Sequence, residues 1–182
     1  MLTIGTMSYE QGNYLALMQD PKLCLLKNAC FSDDVAQGMV FGIITATGRA
    51  GRYTKQRTTA TKTTGDTVIP VVDGGAYQAG DVISVGTETG FTVLSVTGNN
   101  VTINTGLAGT QNSGVLVTTT DGRELAIGIM GETSQAKTYN REVSATVIMS
   151  GPLYYSKLRF LNADALTDLG GKVVTAYDLY KF

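Results

Sequence analysis

The chain has no histidine and no tryptophan, and its 182 residues include only two cysteines and three prolines. Without histidine it lacks the usual general base near neutral pH and the commonest metal ligand. Carboxylates, two thiols and the tyrosines are the only groups left for proton-transfer chemistry. The cysteines, Cys24 and Cys30, lie in an apolar N-terminal stretch at a spacing that fits neither a zinc site nor a thioredoxin-type motif. They read as free buried thiols, or as a disulfide closing a small loop. Long hydrophobic runs are also missing. No window approaches the roughly 20 apolar residues of a membrane-spanning helix. Charge is nearly balanced, 14 Lys and Arg against 15 Asp and Glu for a net −1. No overall field therefore draws in nucleic acid or an anionic membrane. The opening MLTIGTMSYEQGNYLALM has neither the basic start nor the unbroken apolar run of a signal peptide. A reducing cytoplasm, or a non-secretory route out of it, is the expected setting.

Glycine, by contrast, is abundant at 22 residues, and threonine recurs throughout. That mixture predicts many short strands joined by tight turns. The most organised stretch runs from Thr119 to Tyr155. It opens on an Asp121-Gly122 turn and continues as an apolar strand, Leu125 to Met130. A polar connector, Gly131 to Arg141, leads to a second strand with Val143, Ala145, Val147 and Met149 on one parity, which is expected to stop at Gly151-Pro152. These features predict an antiparallel β pair.

The rest of the chain divides around this stretch. Residues 1–21 are irregular and end at Pro21, as either a loose leader or a docking arm. Lys22 to Ala29 is a short apolar run, strand or single helical turn. Val40 to Thr47 is a strand. The segment from Arg49 to Arg57 reads as a glycine-punctuated, solvated loop carrying Arg49, Arg52, Lys55 and Arg57, with Lys62 beyond it. The alternative for that loop is Tyr53 stacking on a base between Arg52 and Lys55. Residues 65–118 read as a separate all-β unit, bounded by Thr-rich segments that are stalk strands or linkers. Within it Phe91, Val93 and Ser95 share a parity, and Gly98-Asn99-Asn100 is a tight-turn signal. Asn162 to Gly171 is the one clear helix, with Asn162 as N-cap, Asp164 near the positive end and Gly170 as the left-handed terminator. Under three turns long, it must pack on the sheet. Val173 to Tyr177, with Leu179 and Tyr180, forms the last strand.

Little here points to catalysis. Asp33 and Asp34 are adjacent and would face opposite sides of a strand, so a turn or a helix N-terminus explains them better than an acid/base couple. Asp121 and Glu124 lack the spacing of a calcium loop. Gly48 to Gly51 is not followed by the residues of a phosphate loop. The expectation is a non-enzyme with no catalytic residues, no cofactor and no metal.

The pattern DG-x-x-x-A-x-GI (Asp121, Gly122, Ala126, Gly128, Ile129), a loop, a strand ending at the glycine–aromatic corner Gly151 to Tyr154, and a short leucine-bearing helix before a terminal strand resembles the head decoration, or capsid cement, proteins of tailed bacteriophages. The resemblance covers about half the chain. It implies a mostly β fold: a small β-barrel or sandwich domain over 22–64 and 119–182 with one short C-terminal helix, a 65–118 all-β insert, and a 1–21 arm. It implies a virion protein, made in the host cytoplasm, on the outer surface of the expanded head. Its partners would be the major capsid protein and itself, as a homotrimer, with no nucleic acid and no membrane. Shell contact would fall to the arm (Leu2, Thr3, Ile4, Met7, Tyr9, Tyr14) and to the basic residues Arg49, Arg52, Lys55 and Arg57. An alternative is a head-fibre or tail component whose insert binds a host glycan through Tyr77 and Phe91.

Overall fold

The structure, a computed structural model, describes residues 25–135, 141–154, 157–159, 161–170 and 173–176. The expected arm, Cys24 and residues 177–182 lie outside them. The fold is mostly β, as the sequence predicts. Five strands close into a barrel: β1 (Leu25–Phe31), β3 (Val40–Ile44), β4 (Arg49–Arg52), β11 (Gly128–Met130) and β13 (Val143–Tyr154). The strand order is β1-β4-β3-β11-β13, and β13 pairs back onto β1. The apolar run that sequence left open is thus a strand. A two-stranded ribbon, β2 (Asp34–Val35) with β12 (Ser134–Gln135), flanks the barrel.

The barrel is filled and then covered. Phe31, Phe41, Ala50, Met130, Ala145 and Val147, drawn from all five strands, pack into one cluster inside it. The Phe31 and Phe41 rings meet edge to face at 5.6 Å. On the outer face Val40, Ile129 and Ile148 pack with Leu153, Ala165 and Leu169. Ala165 and Leu169 belong to the helix α1 (Ala163–Leu169). The alternating residues Val143, Ala145, Val147 and Met149 all join the interior cluster, so their parity marks the barrel lumen. Ile148, between them, is equally buried because the helix covers the opposite face.

Helix α1 matches its sequence signals closely. The Asn162 side chain accepts from Ala165 N at 2.8 Å, and Gly170 ends the helix in the left-handed conformation at φ 58°. The strand before it departs from expectation. β13 runs through Gly151-Pro152 to Tyr154 instead of stopping there, because Gly151 to Tyr154 gain a new parallel partner, β14 (Val173–Ala176). Parallel neighbours need a crossover, and α1 supplies it. The strand expected over Leu125 to Met130 is also shorter, since only Gly128 to Met130 join the sheet and Leu125 is exposed.

A second sheet forms a half-barrel in the order β5-β10-β7-β8-β9-β6. Its strands are β5 (Gln56–Arg57), β6 (Val68–Pro70), β7 (Val82–Val85), β8 (Glu88–Thr97), β9 (Asn100–Ile103) and β10 (Leu116–Thr119). It curls until its outer strands meet, Thr59 N donating to Pro70 O and Val72 N to Arg57 O. The sheet starts at Gln56, ahead of the expected 65–118 unit. Thr58 is buried and hydrogen-bonded in it, so the half-barrel takes in the start of this threonine segment. Gly98 turns β8 into β9 at φ 57°. A bulge between Val93 and Ser95 switches parity, leaving Ser95 exposed and bringing Val96 against the core. Glu88 holds the loop before β10, its carboxylate accepting from Ala108 N, Gly109 N and Gln111 Nε2.

Candidate functional site

The chemistry of this chain concentrates where the half-barrel meets the barrel. The chain crosses that junction twice, on β5 and β10, which lie side by side with Gln56 opposite Val117 and Arg57 opposite Leu116. Residues 120–126 then pass over the barrel before entering β11. The barrel surface is cut away to receive them. Gly42 and Gly51 are cross-strand partners on β3 and β4. A Cβ on Gly42 would sit 2.7 Å from Arg123 Cα, and one on Gly51 would sit 2.8 Å from Arg123 Cδ. The two glycines form a notch that only hydrogen side chains leave open.

Arg123, seated in that notch, is almost wholly buried. Its Nη2 lies 2.8 Å from Asp81 Oδ1 and 2.8 Å from Asp121 Oδ2, and Nη1 lies 4.0 Å from Asp33 Oδ2. Asp33 also faces Arg52 Nε at 3.4 Å and accepts from Arg52 N. Five charged groups from the barrel, the crossing loop and the half-barrel therefore share one cluster, with Arg123, Asp81 and Asp33 buried and Arg52 and Asp121 at its partly exposed edge. Burial opposes the charge on Arg123, but hydrogen bonds and attraction from Asp121 and Asp81 outweigh it and raise its pKa. Burial likewise pushes the Asp121 carboxyl up. The hydrogen bonds from Arg123 and Thr119, with the guanidinium charge, hold it below the usual carboxylate range.

Beside this cluster Tyr77 fills the junction. Its hydroxyl donates toward the carbonyls of Thr54 at 2.8 Å and Val117 at 2.6 Å. Tyr77 and Phe91, the aromatics expected to meet a glycan, are both core residues of the half-barrel. Both rings pack into that core and offer no face to a sugar.

The four cations expected at a shell surface are placed quite differently from a solvated loop. Arg49 and Arg52 lie on β4, and all four are paired within the chain. Arg49 pairs with Glu142. Arg52 serves Asp33, Asp34 O and Gly75 O. Lys55 binds Asp168 at 3.0 Å, and Arg57 makes a two-bond fork with Asp164. Asp164 and Asp168 project from α1, so the C-terminal helix clamps the chain as it leaves the barrel. Tyr53 OH and Ala126 N also donate to Asp168 Oδ2, at 3.2 and 3.3 Å. Tyr53 is buried here and does not flank a base. Sequence could show the cations but not their acids, which for Lys55 and Arg57 lie more than a hundred residues away.

Cys30 is exposed, correcting the expectation of a buried thiol. Ala29 and Phe31 point into the barrel, which leaves Cys30 outside, with its Sγ 3.4 Å from Glu142 Oε2. An open groove of about 380 Å³ lies between the β2–β12 ribbon and the junction, lined by Asp34, Met39, Arg52, Gly75, Thr133 and Gln135. Among the described residues no helix is long and apolar enough to cross a membrane. No family model, curated protein or solved structure matches the chain.

The two junction tyrosines make the fold sensitive to alkali. Burial, then the Asp168 charge, raises the pKa of Tyr53 above its ordinary 10.0, and burial raises Tyr77 well above it. A pKa higher in the folded than in the unfolded chain contributes stability that is intact below the unfolded value and lost as pH rises past it. Stability should therefore fall above about pH 10. Of the nine tyrosines, these two should ionise only with unfolding, as a separate cooperative step in phenolate absorbance. Smooth titration of all nine while circular dichroism stays native would refute this.

Proposed function

We propose that the chain is a non-enzymatic capsid decoration protein that binds the outside of an expanded phage head and bridges major capsid protein subunits. The observation that carries this reading is the position of the decoration-like residues. Asp121 orients Arg123, and Gly122 turns the chain at φ 103° where a Cβ would meet Ile43 O at 2.3 Å. Ala126 and Ile129 are buried under the helix, and Gly128 has Ile148 O against it, 2.7 Å from any Cβ. The residues that carry the resemblance are those that shape a small barrel with a helix across one face. A homotrimer, with many modest contacts multiplied by valency, is the assembly this reading implies. The shell contacts this reading implies are the N-terminal residues Leu2, Thr3, Ile4, Met7, Tyr9 and Tyr14 together with Arg49, Arg52, Lys55 and Arg57, of which Arg49 and Arg57 stay exposed beside their carboxylate partners.

Co-sedimentation with expanded heads lacking the protein tests this directly. Saturable binding that raises the heads' resistance to heat is the expected result. Removing residues 1–12 should abolish binding while leaving thermal unfolding unchanged. Full-length protein that leaves heads unbound and unstabilised would end the capsid reading. Unchanged binding by the truncated protein would end only the arm assignment.

A further inference from the structure

We propose that Arg123 is a latch that holds the half-barrel in one orientation on the barrel, with the paired strands β5 and β10 as its hinge. This goes beyond the capsid reading and does not depend on it. Three observations lead to it. Among the described residues no apolar cluster spans the junction: the half-barrel core is drawn from Ile69 to Val117, and neither barrel cluster contains a residue between Tyr53 and Ala126. Hydrophobic burial therefore stabilises each unit but does not orient one on the other. The chain passes between the units only at two adjacent strands, an arrangement that leaves a swinging motion open unless something opposes it.

At the hinge strands Arg57 is already forked to Asp164 of the helix; away from them, what opposes the swing is polar and localised. Arg123 reaches Asp81 at 2.8 Å, and Arg52 Nη1 reaches Gly75 O at 3.1 Å. Both target the same half-barrel segment, which holds the short 3-10 helix Gly74–Ala76 and the turn into β7. Arg123 is preset for this contact. The Gly42–Gly51 notch seats it, and Asp121 anchors its Nε at 2.8 Å from the barrel side. With side chains 6% and 5% exposed, Arg123 and Asp81 sit where an unpaired charge is strongly unfavourable. The closed orientation thus persists while both charges are present, and an opened junction lets water reach them once either is removed.

The test uses the full chain carrying Arg123→Gln, and separately Asp81→Asn, read by small-angle X-ray scattering and by hydrogen exchange. In either variant the amides of β8, β9 and β13 should keep their protection, since both cores are intact. The maximum dimension in scattering should increase, reflecting a closed-to-open ratio lowered by about a hundredfold. Scattering identical to the parent in both variants would overturn the proposal. So would simultaneous loss of protection in β8 and β13 of Asp81→Asn, because the cluster would then be a shared core and not a latch. If Arg123→Gln fails to fold, Asp81→Asn decides by the same two readouts.

Discussion

Gly42→Ala should destabilise the protein by about 1–3 kcal/mol, the usual cost of forcing a methyl group into a filled space. The added carbon would lie 2.7 Å from both Arg123 Cα and Arg123 O. Both are backbone atoms, so no rotamer change relieves the contact and the crossing loop must lift. Lifting it also disturbs the buried charges around Arg123. At roughly 2–4 °C per kcal/mol for a chain of this size, the melting temperature should fall by several degrees. Gly51→Ala should cost less, because its close neighbour is a side-chain carbon, Arg123 Cδ, at 2.8 Å. Gly80→Ala is the control. Gly80 has φ 92° with nothing within 4 Å, so only backbone strain enters. Thermal and urea unfolding of the three variants should rank Gly42 first. A Gly42→Ala melting curve that overlays the parent's would mean that the loop does not rest in the notch.

Local signals were legible in the sequence, and long-range ones were not. Helix α1 could be read from Asn162 and Gly170 because capping is settled within a few residues. The β8–β9 hairpin could be read from Gly98 for the same reason. The continuation of β13 past Gly151-Pro152 could not, since it depends on a strand, β14, that arrives from beyond the helix. Nor could the bulge after Val93, where a strand of regular alternation shifts its register against β9. The basic residues from Arg49 to Arg57 look like an open surface loop in one dimension. Only the fold brings Asp164 and Asp168 beside Lys55 and Arg57. Arg123 drew no notice in sequence because a single arginine after a turn is unremarkable. Its signal was indirect, in the glycines Gly42 and Gly51 on strands that otherwise favour larger residues.

Replacing residues 58–115 by Asn-Gly should leave a folded barrel. Arg57 and Leu116 are already an antiparallel pair, and a two-residue Asn-Gly loop closes such a pair in a turn that matches strand twist. Neither barrel cluster loses a residue by the excision. The variant does lose Asp81, the partner of Arg123, yet it should be more stable than Arg123's loss of a buried partner alone would suggest. In the intact protein an unpaired Arg123 must either stay buried, at about 3–5 kcal/mol, or force the junction open. In the shortened protein the covering unit is gone, and the guanidinium meets water while keeping Asp121. A single cooperative unfolding transition with protected β13 amides is the expected result. A chain without protected β13 amides would show that the half-barrel is needed for the barrel to fold, and that the two units are one domain. The same variant also separates stability from attachment. With residues 1–57 and the barrel intact, it should still bind expanded heads if the shell contact lies in the N-terminal arm. A folded variant that no longer binds them would move that contact to the half-barrel.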